Sequence, residues 1–318
     1  MKKLFFTALL SAGVAVAQES AIEEIIVSET LFADTADISP SFLIDEDTLN
    51  SINITTIEDA LTYAPNLIVR RRFIGDPNGV VGIRGSNMFQ GTRTSVYVDG
   101  MPIHYHLQTR FSGSPRWSLV SPGETQRVEV LYGPFSAEYS GNSMGGVVNV
   151  YTRTPTERKV RIEGTLFSQQ YEQLQTDEQL NGGNLFVSYE DRLDDLTVFA
   201  SYNRLDNESQ PQTQFRTPDL DAFDRDSIAG ETLSRDERGR PALYYGDSGP
   251  EQATTDLVKI KLGYDLGRYE VRANLAYEQR ERDQSDPNNF LTDETGAPFW
   301  FGGSNFQSRN QERESSLA

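Results

Sequence analysis

RVEVLYGPFSAEYSGNSMGGVVNVYTR, residues 127–153, decides how the rest of the chain is read. It divides into two short strand candidates, 128–131 and 146–151, joined by a glycine- and serine-rich connection. Val128, Val130, Val147 and Val148 are β-branched, a shape that packs well on a pleated, half-buried surface. Gly133-Pro134 and Gly141 interrupt the chain between the strands. Gly145-Gly146 lets the second strand begin close against another backbone. No nucleophile, metal-ligand set or phosphate loop is present. The local physics is that of compact β structure with tight turns.

The same residues resemble the end of the plug domain of TonB-dependent outer-membrane receptors. That pattern runs valine-glutamate-valine-leucine-arginine-glycine-proline, then small residues, then a double glycine before a strand. Here it reads Val128-Glu129-Val130-Leu131-Tyr132-Gly133-Pro134, and later Gly145-Gly146-Val147-Val148-Asn149. Tyr132 stands where arginine is usual and Glu138 where leucine is common. If the usual arginine pairs with a carboxylate on the barrel wall, this chain lacks that pair. Two further family signatures lie upstream, Ile83-Arg84-Gly85 and Val96-Tyr97-Val98-Asp99-Gly100-Met101-Pro102. Asp99-Gly100 is also a good two-residue turn on physical grounds alone.

The resemblance implies an α/β plug domain followed by an antiparallel transmembrane β-barrel, which in this family closes with about 22 strands. It divides the chain into a signal peptide (1–17), a TonB box with linker (18–38), the plug (39–155) and the first barrel strands (156–318). On that reading the chain is an N-terminal fragment of a receptor or the product of a truncated reading frame, because a spanning sheet must close: unpaired backbone groups in lipid are costly.

Bulk properties bound the alternatives. The net charge is −18, and removing a leader with Lys2 and Lys3 takes it to −20. Nucleic acid wants a basic face, so it is excluded as a partner. Cysteine is absent, which excludes disulfides and cysteine-zinc chemistry. Histidine occurs only as His104 and His106. No run of about 18 apolar residues exists to cross a membrane as a helix.

Residues 1–17 have the physics of a secretory signal: Lys2-Lys3, a short apolar core, and Ala15-Val16-Ala17 before Gln18. Next comes a β-prone segment, Glu23, Glu24, Ile25, Ile26, Val27 and Ser28, near a free terminus. By itself it reads as an ordinary edge strand. The family keeps its TonB box at this position, a segment that adds as a strand to the TonB energy-coupling complex.

Residues 55–58 read as a capping box, with Thr55 as N-cap and Glu58 at N3. Ile57 and Leu61 then fall one turn apart, and Pro65 ends the helix. Asn66 tolerates the left-handed turn that follows. Strand candidates come at 67–71, 80–84 and 95–98. Ser121-Pro122-Gly123-Glu124 repeats the helix-start logic.

After Pro155 the chain alternates strictly. Val160, Ile162, Gly164 and Leu166 share one face; Leu196, Val198, Ala200 and Tyr202 another. Val258, Ile260, Leu262 and Tyr264, and Val271, Ala273, Leu275 and Tyr277, repeat the pattern. Runs of about ten residues with an aromatic near one end suit strands in lipid, apolar out and polar in. A water-soluble sandwich shows the same alternation. The connections favour a membrane, because tight turns at 191–194 and 267–268 alternate with long polar loops at 205–256 and 282–310. About five strands are expected before the sequence ends.

The chemistry is sparse. His104, Tyr105 and His106 follow the 97–102 signature, and the i, i+2 spacing puts both imidazoles on one side of an extended segment. They read either as iron or haem ligands or as a polar loop. The resemblance places apical, cargo-facing loops here, with Arg110 among them. Arg70-Arg71-Arg72 reads as facing acids on the inner barrel wall, with an anionic ferric chelate as the alternative. Asp219, Asp221, Asp224 and Asp226 read as a solvated acidic loop, since the glycine and closing glutamate of a calcium loop are missing. No acid–base pair or nucleophile–base set suggests an enzyme.

The function implied by the resemblance is uptake of a scarce nutrient, a ferric siderophore being the commonest cargo. Vitamin B12, haem, an oligosaccharide or peptide, and a non-transporting binding or signalling role are the alternatives. No resident cofactor is expected, only an iron chelate as cargo. The implied partners are the TonB complex, outer-membrane lipid and the small-molecule cargo, in the outer membrane of a Gram-negative bacterium.

Overall fold

The computed structural model describes residues 40–76, 79–86, 93–104, 114–133, 139, 143–224, 226–301 and 311–317. Residues 41–318 form one compact unit. Its first part is a small α/β layer. Strand β1 (Ser41–Ile44) leads to helix α1 (Glu46–Ser51), then to α2 (Ile57–Ala60), which tightens into one 3-10 turn, Leu61–Tyr63. A hairpin follows, β2 (Leu67–Arg70) and β3 (Val80–Ile83), then β4 (Thr94–Val98) and β5 (Met101–Pro102). Two 3-10 turns, Trp117–Leu119 and Pro122–Glu124, precede β6 (Thr125–Tyr132) and β7 (Gly146–Thr152).

The opening stretch is thus the antiparallel pair β6–β7, with Val130 opposite Val148. Sheet order is β1-β6-β7-β4-β5, and β4 lies parallel to β7. A parallel centre is covered on both faces, and its strands read as unbroken apolar runs. Val96, Val98, Val128, Val130, Val148 and Val150 pack accordingly with Ile44, Ile57, Leu61, Ile83 and Trp117. Gly146 is required at the start of β7: an added Cβ would run into the Ile83 side chain and stand 2.8 Å from the Leu131 carbonyl oxygen.

One capping assignment shifts by a residue. The N-cap of α2 is Thr56, not Thr55, and N3 is Asp59, not Glu58. Asp59 Oδ2 accepts from the amides of both Thr55 (2.8 Å) and Thr56 (3.0 Å). The shorter carboxylate folds back on the helix start, which leaves Glu58 to turn inward. The Ser121–Glu124 capping box forms as read, on a single 3-10 turn, and Asn66 takes the left-handed conformation (φ 54°).

The second part is a six-stranded antiparallel wall in the order β19-β16-β15-β10-β9-β8. Its strands are β8 (Lys159–Gln173), β9 (Thr176–Leu193), β10 (Leu196–Ser209), β15 (Glu251–Asp265), β16 (Glu270–Gln284) and β19 (Gln311–Leu317). The intervening numbers are β11 (Gln214–Thr217), β12 (Ile228–Ala229), β13 (Thr232–Arg235), β14 (Pro241–Asp247), β17 (Asn288–Asn289) and β18 (Thr292–Asp293). Register sets Val198 beside Leu262 and Ile260 beside Leu275, so the apolar residues form a continuous outward band. Leu166 at 92% and Ile162 at 70% are its most exposed members. The opposite face buries Phe186, Ser188, Phe199, Ser201 and Lys259 against the first part.

The connections differ from the sequence reading in three ways. The turn expected at 191–194 lies at Asp194-Asp195, because β9 runs on through Leu193; Asp194 supplies the left-handed residue (φ 51°). A second tight turn, Leu174-Gln175, joins β8 to β9 at the far end with Leu174 left-handed (φ 57°). Short and long connections therefore do not alternate strictly. Nothing in Leu174 announces a turn.

The long loops, finally, are folded. β11, β14 and β13 form a sheet, β17 pairs with β14, and β12 pairs with β18 from the following loop. Phe223, Leu243, Tyr245 and Leu291 make a small core beneath, with the Phe223 and Phe301 rings 4.7 Å apart edge-on. Asp219, Asp221, Asp224 and Asp226 are exposed, and no metal-holding cluster occurs among the described residues.

Candidate functional site

The signature residues fall at the two ends of the plug sheet. At one end Arg84 (φ 51°) and Gly85 (φ 75°) turn the chain after β3. Arg84 Nη1 donates to the Gly133 carbonyl at 3.0 Å, and its guanidinium lies 5.4 Å from the centre of the Tyr132 ring. The Gly133 amide donates to the Gly145 carbonyl (3.1 Å), and the Gly145 amide to that of Arg93 (2.6 Å). Tyr132, the departure from the family pattern, donates its hydroxyl to the Pro65 carbonyl at 2.6 Å. Burial raises its pKa, against the nearby Arg84 charge. It locks the plug internally instead of reaching outward.

At the other end Asp99 (φ 49°) and Gly100 (φ 80°) form the β4–β5 turn. The Asp99 carboxylate accepts from the Thr152 amide at 2.9 Å and from the Thr152 hydroxyl. Glu129 is buried on β6 opposite Asn149. These residues build the framework and converge on no common cavity. His104 Nε2 accepts from the Val96 amide at 2.7 Å, which ties this imidazole to the sheet. Tyr105, His106, Arg110 and Pro134, and the TonB-box residues 23–28, lie outside the described residues.

Chemistry concentrates where plug meets wall. Glu124, at N3 of its capping box, is fully buried, and Lys259 on β15 reaches it at 2.6 Å. The same Nζ donates to the Leu119 carbonyl, also at 2.6 Å. Lys261, two residues on and therefore on the same face, lies 3.8 Å from Glu124 and donates to Thr152 Oγ1 at 2.6 Å. Wall amides grip plug backbone at three more places: Asn184 to the Thr55 carbonyl (3.2 Å), Asn207 to Ile74 (3.1 Å) and Gln210 to Arg72 (2.7 Å). Gly123 has no room for a side chain because the Phe186 ring fills that space.

Neither Lys259 nor Lys261 stands out in the sequence beyond the polar side of an alternating strand. Their acid is 135 residues upstream of Lys259. The reading of the arginine run is corrected for its direct ion pairs. Arg71 pairs with Asp59 at 2.5 Å and Arg72 with Asp76 at 2.9 Å, both acids of the plug, while the wall's Glu251 acts on Arg72 only as a weaker, more distant charge. Both acids lie closer along the chain than any acid of the wall, so less chain has to be ordered to reach them.

Comparison with known proteins matches this geometry. Residues 35–147 match the TonB-dependent Receptor Plug Domain family. Over 105 residues the chain is 35% identical to the ferric enterobactin receptor PirA of Pseudomonas aeruginosa, covering 29% of this chain and 14% of that one. Among solved structures, a mutant of the ferric enterobactin receptor PfeA of Pseudomonas aeruginosa superposes with a TM-score of 0.52 at 16% identity. That match covers 89% of this chain and 38% of that one. A second mutant of that receptor gives 0.51 at 15% identity, with the same coverage. The chain thus spans well under half the length of these relatives. Residues 35–147 thus match the plug domain of TonB-dependent receptors, and the fold is that of a plug packed on the polar face of an antiparallel partial barrel.

Proposed function

We propose that this chain is the plug and first wall strands of an energy-coupled outer-membrane receptor that admits a ferric siderophore. One observation carries the reading: an α/β domain is held by buried ionic and backbone-directed contacts to the polar face of a sheet whose other face is an apolar band. A sheet of that kind suits lipid on one side and an occupied lumen on the other. The names of the relatives, both receptors for ferric enterobactin, favour a ferric catecholate over vitamin B12, haem or a sugar.

In this reading cargo meets the outer loops and the plug segment 104–110, where His104, Tyr105, His106 and Arg110 are the candidate contacts. Residues 23–28 pair as a strand with the TonB complex, the backbone giving affinity and alternate side chains giving choice of partner. Iron enters as cargo, and no enzymatic step is involved.

The test is uptake of radio-iron siderophores by a host lacking its own receptors and expressing this gene. One ferric catecholate is expected to bind and enter, and an uncoupler of the proton gradient to stop entry while binding persists. Absence of binding by every ferric siderophore would refute the cargo. Uptake indifferent to the uncoupler would refute the coupling.

A further inference from the structure

Beside α2, where the plug meets β9, β10 and β15, lies a cavity of about 30 Å³ lined by Glu58, Trp117, Ser118, Asn184, Asn203 and Thr255. Both carboxylate oxygens of Glu58, Ser118 Oγ and Asn203 Oδ1 are shielded from solvent without a hydrogen-bond partner. They come from three separate elements, α2, a 3-10 turn and β10, and they line one space. Buried polar atoms are nearly always satisfied, by protein or by ordered water. A polar cavity of this volume has room for about two water molecules.

The charges around Glu58 are accounted for. Asp59 is its neighbour on α2, and Arg71 Nη1 lies 3.8 Å away but is committed to Asp59 at 2.5 Å. Asp76, also lining the space, is held by Arg72 through both oxygens. The wall contributes Asn184, Asn203, Leu205 and Thr255, and the segment around Ser121 contributes no charge. Among the described residues, Glu58 therefore faces a space without a free cation.

We propose that this chamber is a hydrated proton-binding site: water bridges Glu58 to Ser118 and Asn203, and the plug docks on the wall with a proton on the Glu58 carboxyl. The proton comes from solvent on docking and returns to it on release. Burial supports this, pushing the Glu58 pKa up to about 7 against the pull of its own backbone amide and of the Thr56 hydroxyl, with Asp59 adding a little to the shift and Arg71 opposing it. Released into water, the group ionises at its ordinary value of 4.5. Below that value it is neutral in both states and docking has its full strength. Between 4.5 and about 7 docking takes up a proton, so it weakens as pH rises through this window and levels off above it. This depends only on the plug–wall contact, and it stands or falls apart from the identity of any cargo.

Trp117 lines the chamber and Trp300 is the only other tryptophan. In a Trp300→Phe background, urea-induced plug release is followed by Trp117 fluorescence on protein purified in detergent. The midpoint is expected to fall between about pH 5 and pH 8 and to become flat over that range in Glu58→Gln. The same slope in Glu58→Gln overturns the proposal. Should that variant fail to assemble, the infrared carbonyl stretch of the unaltered protein decides. A protonated-acid band at about pH 6 that disappears by about pH 8 is expected, and its absence overturns the proposal. Asn203→Leu, which fills the chamber, is expected to move that titration upward by expelling water; an unmoved titration refutes the water bridge.

Discussion

Glu124 and Lys259 show how little room for change a single buried pair leaves. Each ion loses its hydration, and their attraction offsets that only while the remaining hydrogen bonds are made. Lys259 makes one to Leu119, and Glu124 accepts one from the Ser121 amide at 3.1 Å. Lys259→Met strands the carboxylate and is expected to cost about 3–5 kcal/mol, while Lys259→Met with Glu124→Leu recovers most of that. Urea midpoints in lipid vesicles check both, and equal losses would show that the pair does not interact. Gly146→Ala is expected to cost about 1–3 kcal/mol by the same measurement, since the Leu131 carbonyl beside it cannot move aside. The glycines were readable because close approach demands them. Glu124 was readable only as a helix start, because a local capping motif carries no information about a strand folded much later in the chain. The one-residue error at Thr56 has a related cause: both Glu58 and Asp59 fit the pattern, and the backbone reach of the shorter acid decided between them.

At the scale of elements, period-two alternation carried the wall. Its test is asymmetric. Leu275→Arg on the outward face of β16 is expected to cost about 2–4 kcal/mol for folding into bilayers. Asn274→Ser on the inward face should stay within about 0.5 kcal/mol. Equal, small effects at both positions, read from urea titration in vesicles, would instead describe a water-facing sheet. β9 was legible only through the turn after it. Gly182 and Gly183 interrupt its pattern, and the Phe167 ring from β8 occupies the space a side chain at 182 would fill. Packing supplied by a neighbour leaves no trace in the strand that receives it. The folded outer loops were missed for a similar reason: β12 pairs with β18 across an intervening hairpin, and a two-residue strand has no period to detect.

For the whole molecule, the coupling reading makes a separable prediction. Ile25→Pro removes one backbone donor from the proposed added strand. Iron uptake is expected to fall to background while siderophore binding stays at the unaltered level, as measured by uptake and binding on the same cells; full uptake would end that reading. The plug sheet adds a mechanical consequence. Among the described residues β1 lies at its edge, paired only with β6, through four residue pairs from Ser41–Leu131 to Ile44–Val128. Any tension applied to the chain before Ser41 meets this strand first. The inner strands, laced on both sides, feel it only after β1 has peeled away and the Glu46–Arg153 bridge (3.0 Å) has parted. The domain is built to yield from one margin in steps, a tear strip along a sheet whose centre holds.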